Sequence, residues 1–131
     1  MTLGDYAWVT LGSTLGGVMR YWASGLIARR FGESFPWGTL FVNVTGSFII
    51  GLAAALGGPD AALLGGPRVR LLVTAGICGG YTTFSSFSLQ TLTLAREGEW
   101  RAALSNVLLS TGACLAAACV GLIAGRALTP S

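Results

Sequence analysis

Long apolar stretches separated by short polar connections make up most of the chain. There are four of them, at about residues 6–27, 37–56, 69–94 and 102–123. Each has roughly the 20 residues that a helix needs to cross the hydrocarbon core of a bilayer. The pattern predicts an all-α membrane protein in which residues 1–131 form a single domain of four transmembrane helices.

The third stretch contains a segment that does not fit a continuous helix. Residues 76–87 read GICGGYTTFSSF, with two adjacent glycines, several hydroxyl side chains and two phenylalanines three positions apart. In hydrocarbon every backbone N–H and C=O needs a partner, so non-helical backbone is tolerated there only where it is buried in protein or lines a polar cavity. We therefore expect the third helix to be broken in mid-membrane, and such breaks usually mark the working part of a channel or transporter.

The amino-acid composition indicates a membrane protein and argues against an enzyme. The chain is 53% hydrophobic and only 10% charged, against about 25% charged residues in soluble domains, so the lipid bilayer is expected to cover most of its surface. It has no histidine, the usual proton shuttle of enzymes near neutral pH, which predicts that the protein is not an enzyme. A formal charge of +3 in so apolar a chain indicates lipid headgroups and small anions as partners rather than nucleic acid.

The arginines of the predicted loops divide almost evenly between the two sides of the membrane. Three fall on one side and four on the other: Arg68, Arg70 and Arg126 against Arg29, Arg30, Arg96 and Arg101. Since arginine placement in short loops sets orientation, this balance favours insertion in both directions. An antiparallel homodimer can then form, with a two-fold axis in the membrane plane that supplies the inverted repeat of larger transporters. A single, weakly biased topology is the alternative.

Two of the spans carry polar side chains at helical spacing. Thr39, Asn43 and Ser47 recur every four residues in the second span and so share one face. Asn106 and Ser110 have the same spacing in the fourth span. Amides and hydroxyls in two such tracks, with no carboxylate in any span, suit an anion better than a cation. The alternative is that they are hydrogen-bonding contacts between helices.

Three further side chains are candidates for contact with an ion. Arg20 lies about two-thirds of the way along the first span, where a charge costs roughly 3 kcal/mol. The Arg20 side chain either places a positive charge at a water-filled vestibule or, alternatively, extends to the membrane–water interface. Phe84 and Phe87 are neighbours on one helical face just after the break, and their positive ring edges can stabilise an anion in a narrow path. Core packing is the alternative for this pair.

The break also offers oxygen ligands. Gly79 and Gly80 permit backbone angles that a residue with a Cβ resists, so we expect the carbonyls of Gly79 and Thr82 to leave the helical ladder. Doubled by a two-fold axis, these carbonyls would supply four hard oxygens to a monovalent cation.

Four blocks of the sequence resemble the Fluc (CrcB) family of fluoride channels, which are small exporters with dual topology. The blocks are G-x-x-x-G-G-x-x-R-Y at residues 12–21, G-T-L-x-V-N-x-x-G-S-F-x-x-G at 38–51, G-x-x-G-G-x-T-T-F-S-x-F at 76–87, and a looser N-x-x-x-S-T-G at 106–112. The second and third blocks are long and specific, and the resemblance covers essentially the whole chain.

The resemblance implies a fluoride-selective channel with two pores per antiparallel homodimer. Such a channel lies in the cell's inner membrane as a multi-pass protein and exports cytoplasmic fluoride passively. The resemblance implies that Phe84 and Phe87 line the pores, that Asn43 is a pore donor and that Ser110 belongs to a polar track. Arg20 matches the arginine of the first block.

The resemblance also implies a structural sodium ion at the centre of the dimer, held by the carbonyls of Gly79 and Thr82. Asn106 departs from the family pattern, which has tyrosine at this position, so the polar track of the fourth helix is expected to be built differently in this chain.

Two other classes of membrane protein are alternatives. A small multidrug-type transporter has a similar length and a dual topology, but a carrier that exchanges cationic drugs for protons needs an acid inside the membrane. All five acids of this chain fall at span ends or in loops: Asp5, Glu33, Asp60, Glu97 and Glu99. A non-transporting scaffold would explain the many glycines but not the broken third span.

Overall fold

The computed structural model describes residues 1–58 and 64–129 of the chain. The helices are α1 (Leu3–Phe31), α2 (Trp37–Leu56), α3 (Pro67–Leu71), α4 (Gly79–Tyr81), α5 (Phe84–Arg96) and α6 (Trp100–Leu128), with a π-helical segment (Leu72–Cys78) between α3 and α4. Over these two ranges of residues there is no strand, which confirms the all-α prediction.

The first, second and fourth predicted spans correspond to long helices, with differences at their ends. The second span is confirmed at both ends by α2, whereas α1 and α6 extend to 29 residues each. α1 begins early because Thr2 and Asp5 form a capping box: the Thr2 N–H donates to Asp5 Oδ2 at 2.7 Å, and the Asp5 N–H donates to Thr2 Oγ1 at 3.4 Å. Among the described helices, α2 and α6 are the two long and apolar enough to cross a membrane.

Glycines let the helices approach each other closely. α2 and α6 cross where Gly51 faces the carbonyl of Ala118, at a separation that leaves no room for a Cβ. α1 meets the π-helical segment in the same way, since a Cβ on Gly12 would lie 2.7 Å from the Cα of Gly76. These backbone-to-backbone contacts replace the hydrophobic driving force that helices lack in lipid.

The third stretch is broken at Thr82 and Thr83, as predicted. Both residues are extended, with φ/ψ of −83°/158° and −153°/111°. α3, the π-helical segment and α4 form the half before the break, and α5 forms the half after it. The π-helical segment was not predicted. It widens the helix, so that the Gly79 N–H reaches the carbonyl of Thr74, five residues back, as well as that of Gly76.

The prediction that the glycines beside the break supply unusual backbone angles is wrong. Gly79 has the ordinary helical φ/ψ of −62°/−38°, and positive φ occurs, among the described glycines, away from the break. A Cβ on Gly80 would collide with the carbonyl of Ser13 on α1, whereas a Cβ on Gly79 would meet only the Thr74 carbonyl, at 3.8 Å. Gly80 is therefore needed for packing against α1, and Gly79 is exposed on the surface of the protomer.

Candidate functional site

The helix break is held open by one amide side chain of α2. Asn43 Nδ2 donates to the Thr83 carbonyl at 3.0 Å, and the Thr83 N–H donates to Asn43 Oδ1 at 2.7 Å. In a continuous helix the Thr83 N–H would bond the Gly79 carbonyl four residues back. Asn43 therefore satisfies both backbone groups of the buried Thr83 and takes the helical partner of the Gly79 carbonyl away.

Threonine hydroxyls cap both ends of the break. Before it, Thr82 Oγ1 donates to the Cys78 carbonyl at 3.0 Å. After it, Thr83 is the N-cap of α5: its Oγ1 accepts from the Ser86 N–H at 3.2 Å and lies 3.1 Å from the Ser86 hydroxyl, to which it donates. Two successive threonines thus satisfy backbone and side-chain groups on both sides, which keeps the extended pair in place.

An open cavity of about 430 Å³ lies beside the break. It is walled by α2, the π-helical segment, the break, the first turn of α5 and the middle of α6. The structure brings together here all the predicted site residues except two: Asn43, Gly79, Thr82, Phe84, Phe87 and Ser110. The lining found among the described residues contains amide, hydroxyl, thiol and apolar groups but no charged side chain.

The two phenylalanines of the cavity contact each other. The ring centroids of Phe84 and Phe87 are 5.3 Å apart and their planes meet at 49°, a tilted arrangement that aromatic pairs favour. Phe84 is 78% exposed in the single chain, so its ring is not a core packing residue of the protomer. Phe87 is half-buried.

Asn106 lies outside the cavity, between α5 and α6. It is only 1% exposed. Its Nδ2 donates to Thr91 Oγ1 at 2.8 Å, and its Oδ1 accepts from the Ser110 hydroxyl at 3.2 Å. Asn106 therefore forms an interhelical contact, and it reaches the cavity through Ser110.

Arg20 does not line the cavity. It is half-buried on α1, and its carbonyl accepts the Ser24 hydroxyl at 2.7 Å. The structure thus separates Arg20 from the polar and aromatic groups beside the break.

A second, larger opening of about 1070 Å³ lies between the end of α1, the start of α2 and α5. Gln90 on α5 lines it, and among the described residues its Oε1 is buried without a hydrogen-bond donor. A buried acceptor without a hydrogen-bond donor costs free energy.

Two groups at the site were not predicted from the sequence. Thr83, the partner of Asn43, was not proposed, although a threonine after a helix-breaking segment and three residues before Ser86 has the spacing of an N-cap. Thr74 joins the lining through the π-helical segment, and the hydrophobic pattern carried no signal for that segment.

Comparisons with known proteins give the same family over most of the chain. A family model described as CrcB-like protein, Camphor Resistance (CrcB), matches residues 7–122. The chain is 48% identical over 124 residues to the Fluoride-specific ion channel FluC of Methylocella silvestris, and the match covers 95% of each chain.

Two other relatives carry the same name. The identity is 52% over 123 residues with the protein of Opitutus terrae, covering 94% of this chain and 93% of the relative. The identity is 54% over 110 residues with the protein of Rhodospirillum rubrum, covering 84% of this chain and 85% of the relative. All three relatives are named as ion channels and none as an enzyme, which supports the prediction that this chain is not an enzyme.

Proposed function

The chain belongs to the CrcB family, and on this premise we propose that it is a fluoride-selective ion channel through which cytoplasmic fluoride leaves passively. The observation that carries the proposal is the cavity beside the break. Its lining among the described residues joins Asn43, several hydroxyls and the tilted pair Phe84 and Phe87, without a carboxylate that would repel an anion.

Hydrogen-bond donors are what a small, strongly hydrated anion requires in exchange for its water. Asn43 Nδ2 carries two protons; one is used by the Thr83 carbonyl, which leaves the other for an ion. The rings of Phe84 and Phe87 can direct their positive edges at the same ion while giving a cation no oxygen ligand. A drug–proton exchanger would need an acid in the cavity, and the lining described above has none.

The proposed channel is an antiparallel homodimer with two pores. Two features of the single chain support this: Phe84 is largely exposed, and the cavity beside the break is open. A second copy would cover these groups. The near-even distribution of loop arginines supports insertion of the chain in both orientations as a multi-pass protein of the cell's inner membrane.

A sodium ion at the dimer centre is also part of the proposal. The residues fit such an ion, because the Gly79 carbonyl has lost the N–H of Thr83 to Asn43 and the Thr82 carbonyl belongs to extended backbone. When bound, the ion would satisfy carbonyls that are costly to leave without partners in a dry interface. The protein's own contribution is to hold the two carbonyls free through the Asn43–Thr83 bonds.

Efflux from liposomes tests the channel assignment. Purified protein is reconstituted into vesicles loaded with potassium fluoride or potassium chloride, and efflux is started with a potassium ionophore. We expect rapid release of fluoride and retention of chloride, with no release from protein-free vesicles. Comparable release of chloride would contradict fluoride selectivity.

A further inference from the structure

Ser110 lines the cavity but directs its proton away from it. Its Oγ–H donates to Asn106 Oδ1 at 3.2 Å on the same helix, one turn earlier. Both residues are buried, at 7% and 1% exposure. The group that Ser110 offers to the cavity in this arrangement is an oxygen lone pair, which attracts cations and repels anions.

The direction of every proton in this network follows from one backbone carbonyl. Thr91 Oγ1 donates to the Phe87 carbonyl at 2.7 Å, and because a carbonyl can only accept, the Thr91 proton is committed there. Toward Asn106, Thr91 can therefore only accept, which orients Nδ2 of the amide toward Thr91 at 2.8 Å. The amide oxygen must then face Ser110, so the Ser110 hydroxyl must be the donor.

From this polarity we infer that Asn106 is a positioning residue that competes with the transported anion for the proton of Ser110. The inference rests on the proposed function. To donate to an anion in the cavity, the Ser110 hydroxyl must rotate and leave the buried Asn106 Oδ1 without a donor. The free-energy cost of that lost hydrogen bond makes anion binding less favourable. Asn106 thereby weakens the site, and weak binding is a condition for release of the ion.

The concentration dependence of fluoride efflux tests the inference. Asn106→Leu removes the acceptor and frees the Ser110 proton for the cavity. We expect the half-saturating fluoride concentration to fall about three- to tenfold, the factor that corresponds to one net hydrogen bond. In a Ser110→Ala background the same substitution should leave the half-saturating concentration unchanged, because no proton remains to be released.

Two further variants separate this effect from a loss of stability. Thr91→Val removes the acceptor that orients the amide, so Asn106 can turn its NH₂ toward Ser110. Ser110 then accepts from Asn106 and its own proton is free, so the half-saturating fluoride concentration should fall as in Asn106→Leu. This variant carries the test if Asn106→Leu does not assemble. Ala103 is buried one turn earlier on the same face of α6, and Ala103→Gly should lower thermal stability without moving half-saturation.

Each result decides between the proposals. The proposed role of Asn106 is wrong if the half-saturating fluoride concentration is unchanged in both Asn106→Leu and Thr91→Val. It is also wrong if the shift persists in the Ser110→Ala background. In either case, fluoride efflux by the wild-type protein still supports the channel assignment. Wild-type protein that releases no fluoride overturns the proposed function and the inference together.

Discussion

Asn43 and Thr83, 40 positions apart in the sequence, exchange two hydrogen bonds, at 3.0 Å and 2.7 Å. The amide acts as a neighbouring peptide group would: it accepts from one N–H and donates to one C=O. A side chain of α2 thus keeps two residues of the third stretch out of the helix, beside the cavity that we propose to conduct fluoride.

Replacing Asn43 with leucine should therefore damage structure and transport together. The buried N–H and C=O of Thr83 lose their partners, and we expect a loss of about 1–3 kcal/mol in stability as well as a loss of fluoride efflux. Thermal unfolding and liposome efflux measure the two effects. Ser47→Ala is the control, because Ser47 lines the same cavity one turn along α2 and has no bond to Thr83 among those found; normal stability and efflux in Asn43→Leu would contradict the proposed role.

Replacing Phe84 with isoleucine should greatly reduce transport without unfolding the protein. Isoleucine keeps apolar bulk but lacks the ring edge, and Phe84 is 78% exposed in the protomer, so little packing within one chain is lost. We expect a folded dimer with fluoride efflux reduced at least tenfold, measured in proteoliposomes after size-exclusion chromatography.

Phe87→Ile should reduce efflux similarly but cost more stability, since Phe87 is half-buried. Phe41→Ile on α2 serves as the matched control, because this residue is exposed and lies outside the cavity lining. If both cavity variants conduct normally and differ from wild type only in thermal stability, the rings are packing residues.

Sodium should stabilise the dimer and support efflux. The measurement is thermal stability and fluoride efflux in sodium against a large organic cation, exchanged on both sides of the membrane and with time for slow release of the ion. No change in either quantity after verified removal of sodium would contradict an ion at the break.

Gly79 and Gly80 provide a matched pair for the same proposal. Gly79→Val should leave the protomer folded, because its Cβ meets only the Thr74 carbonyl at 3.8 Å, yet disrupt assembly around the ion. Gly80→Val should prevent folding of the protomer itself, because its Cβ collides with Ser13 on α1. A Gly79→Val protein that dimerises and responds to sodium like wild type would show that this surface is not the interface.

Both orientations of the chain should be present in the membrane. A tag after the C-terminus, tested for accessibility from each side, should detect two populations, because the loop arginines differ by one between the sides. Two lysines inserted after Arg126 should shift the ratio toward one orientation, and two glutamines at the same place should not. A single orientation in the unmodified protein would rule out the antiparallel dimer.

The helices were predictable from the sequence where the signal is local. α2 is bounded by Pro36 and Gly57, residue types that commonly end helices, and its predicted ends agree with the structure. The break was placed by the glycine and hydroxyl run. The π-helical segment was not predicted because a mostly apolar stretch such as Leu72–Cys78, with Thr74 as its one hydroxyl side chain, carries no periodicity that separates 3.6 from wider helical turns.

Long-range partners were out of reach of the same reasoning. The spacing of Asn43 in α2 indicated a polar face but not that the Thr83 backbone would lie opposite it. The sequence also suggested conformational freedom at Gly80, whereas the structure uses the missing Cβ for contact with α1. The Asn43–Thr83 contact and the contact of Gly80 with α1 both depend on how the helices pack against each other, and this packing cannot be predicted from a single sequence.

The interruption at Thr82 and Thr83 also gives the site an electric field of its own. Peptide dipoles add along a helix to about half a positive charge at its N-terminus and half a negative charge at its C-terminus. α4 ends and α5 begins at this point, so an electronegative and an electropositive helix end lie next to each other. The break therefore places partial charges of both signs beside a cavity whose described lining contains no charged side chain. In a continuous helix the two opposite end charges would coincide and neutralise each other at this point, and the dipoles would add into one longer dipole.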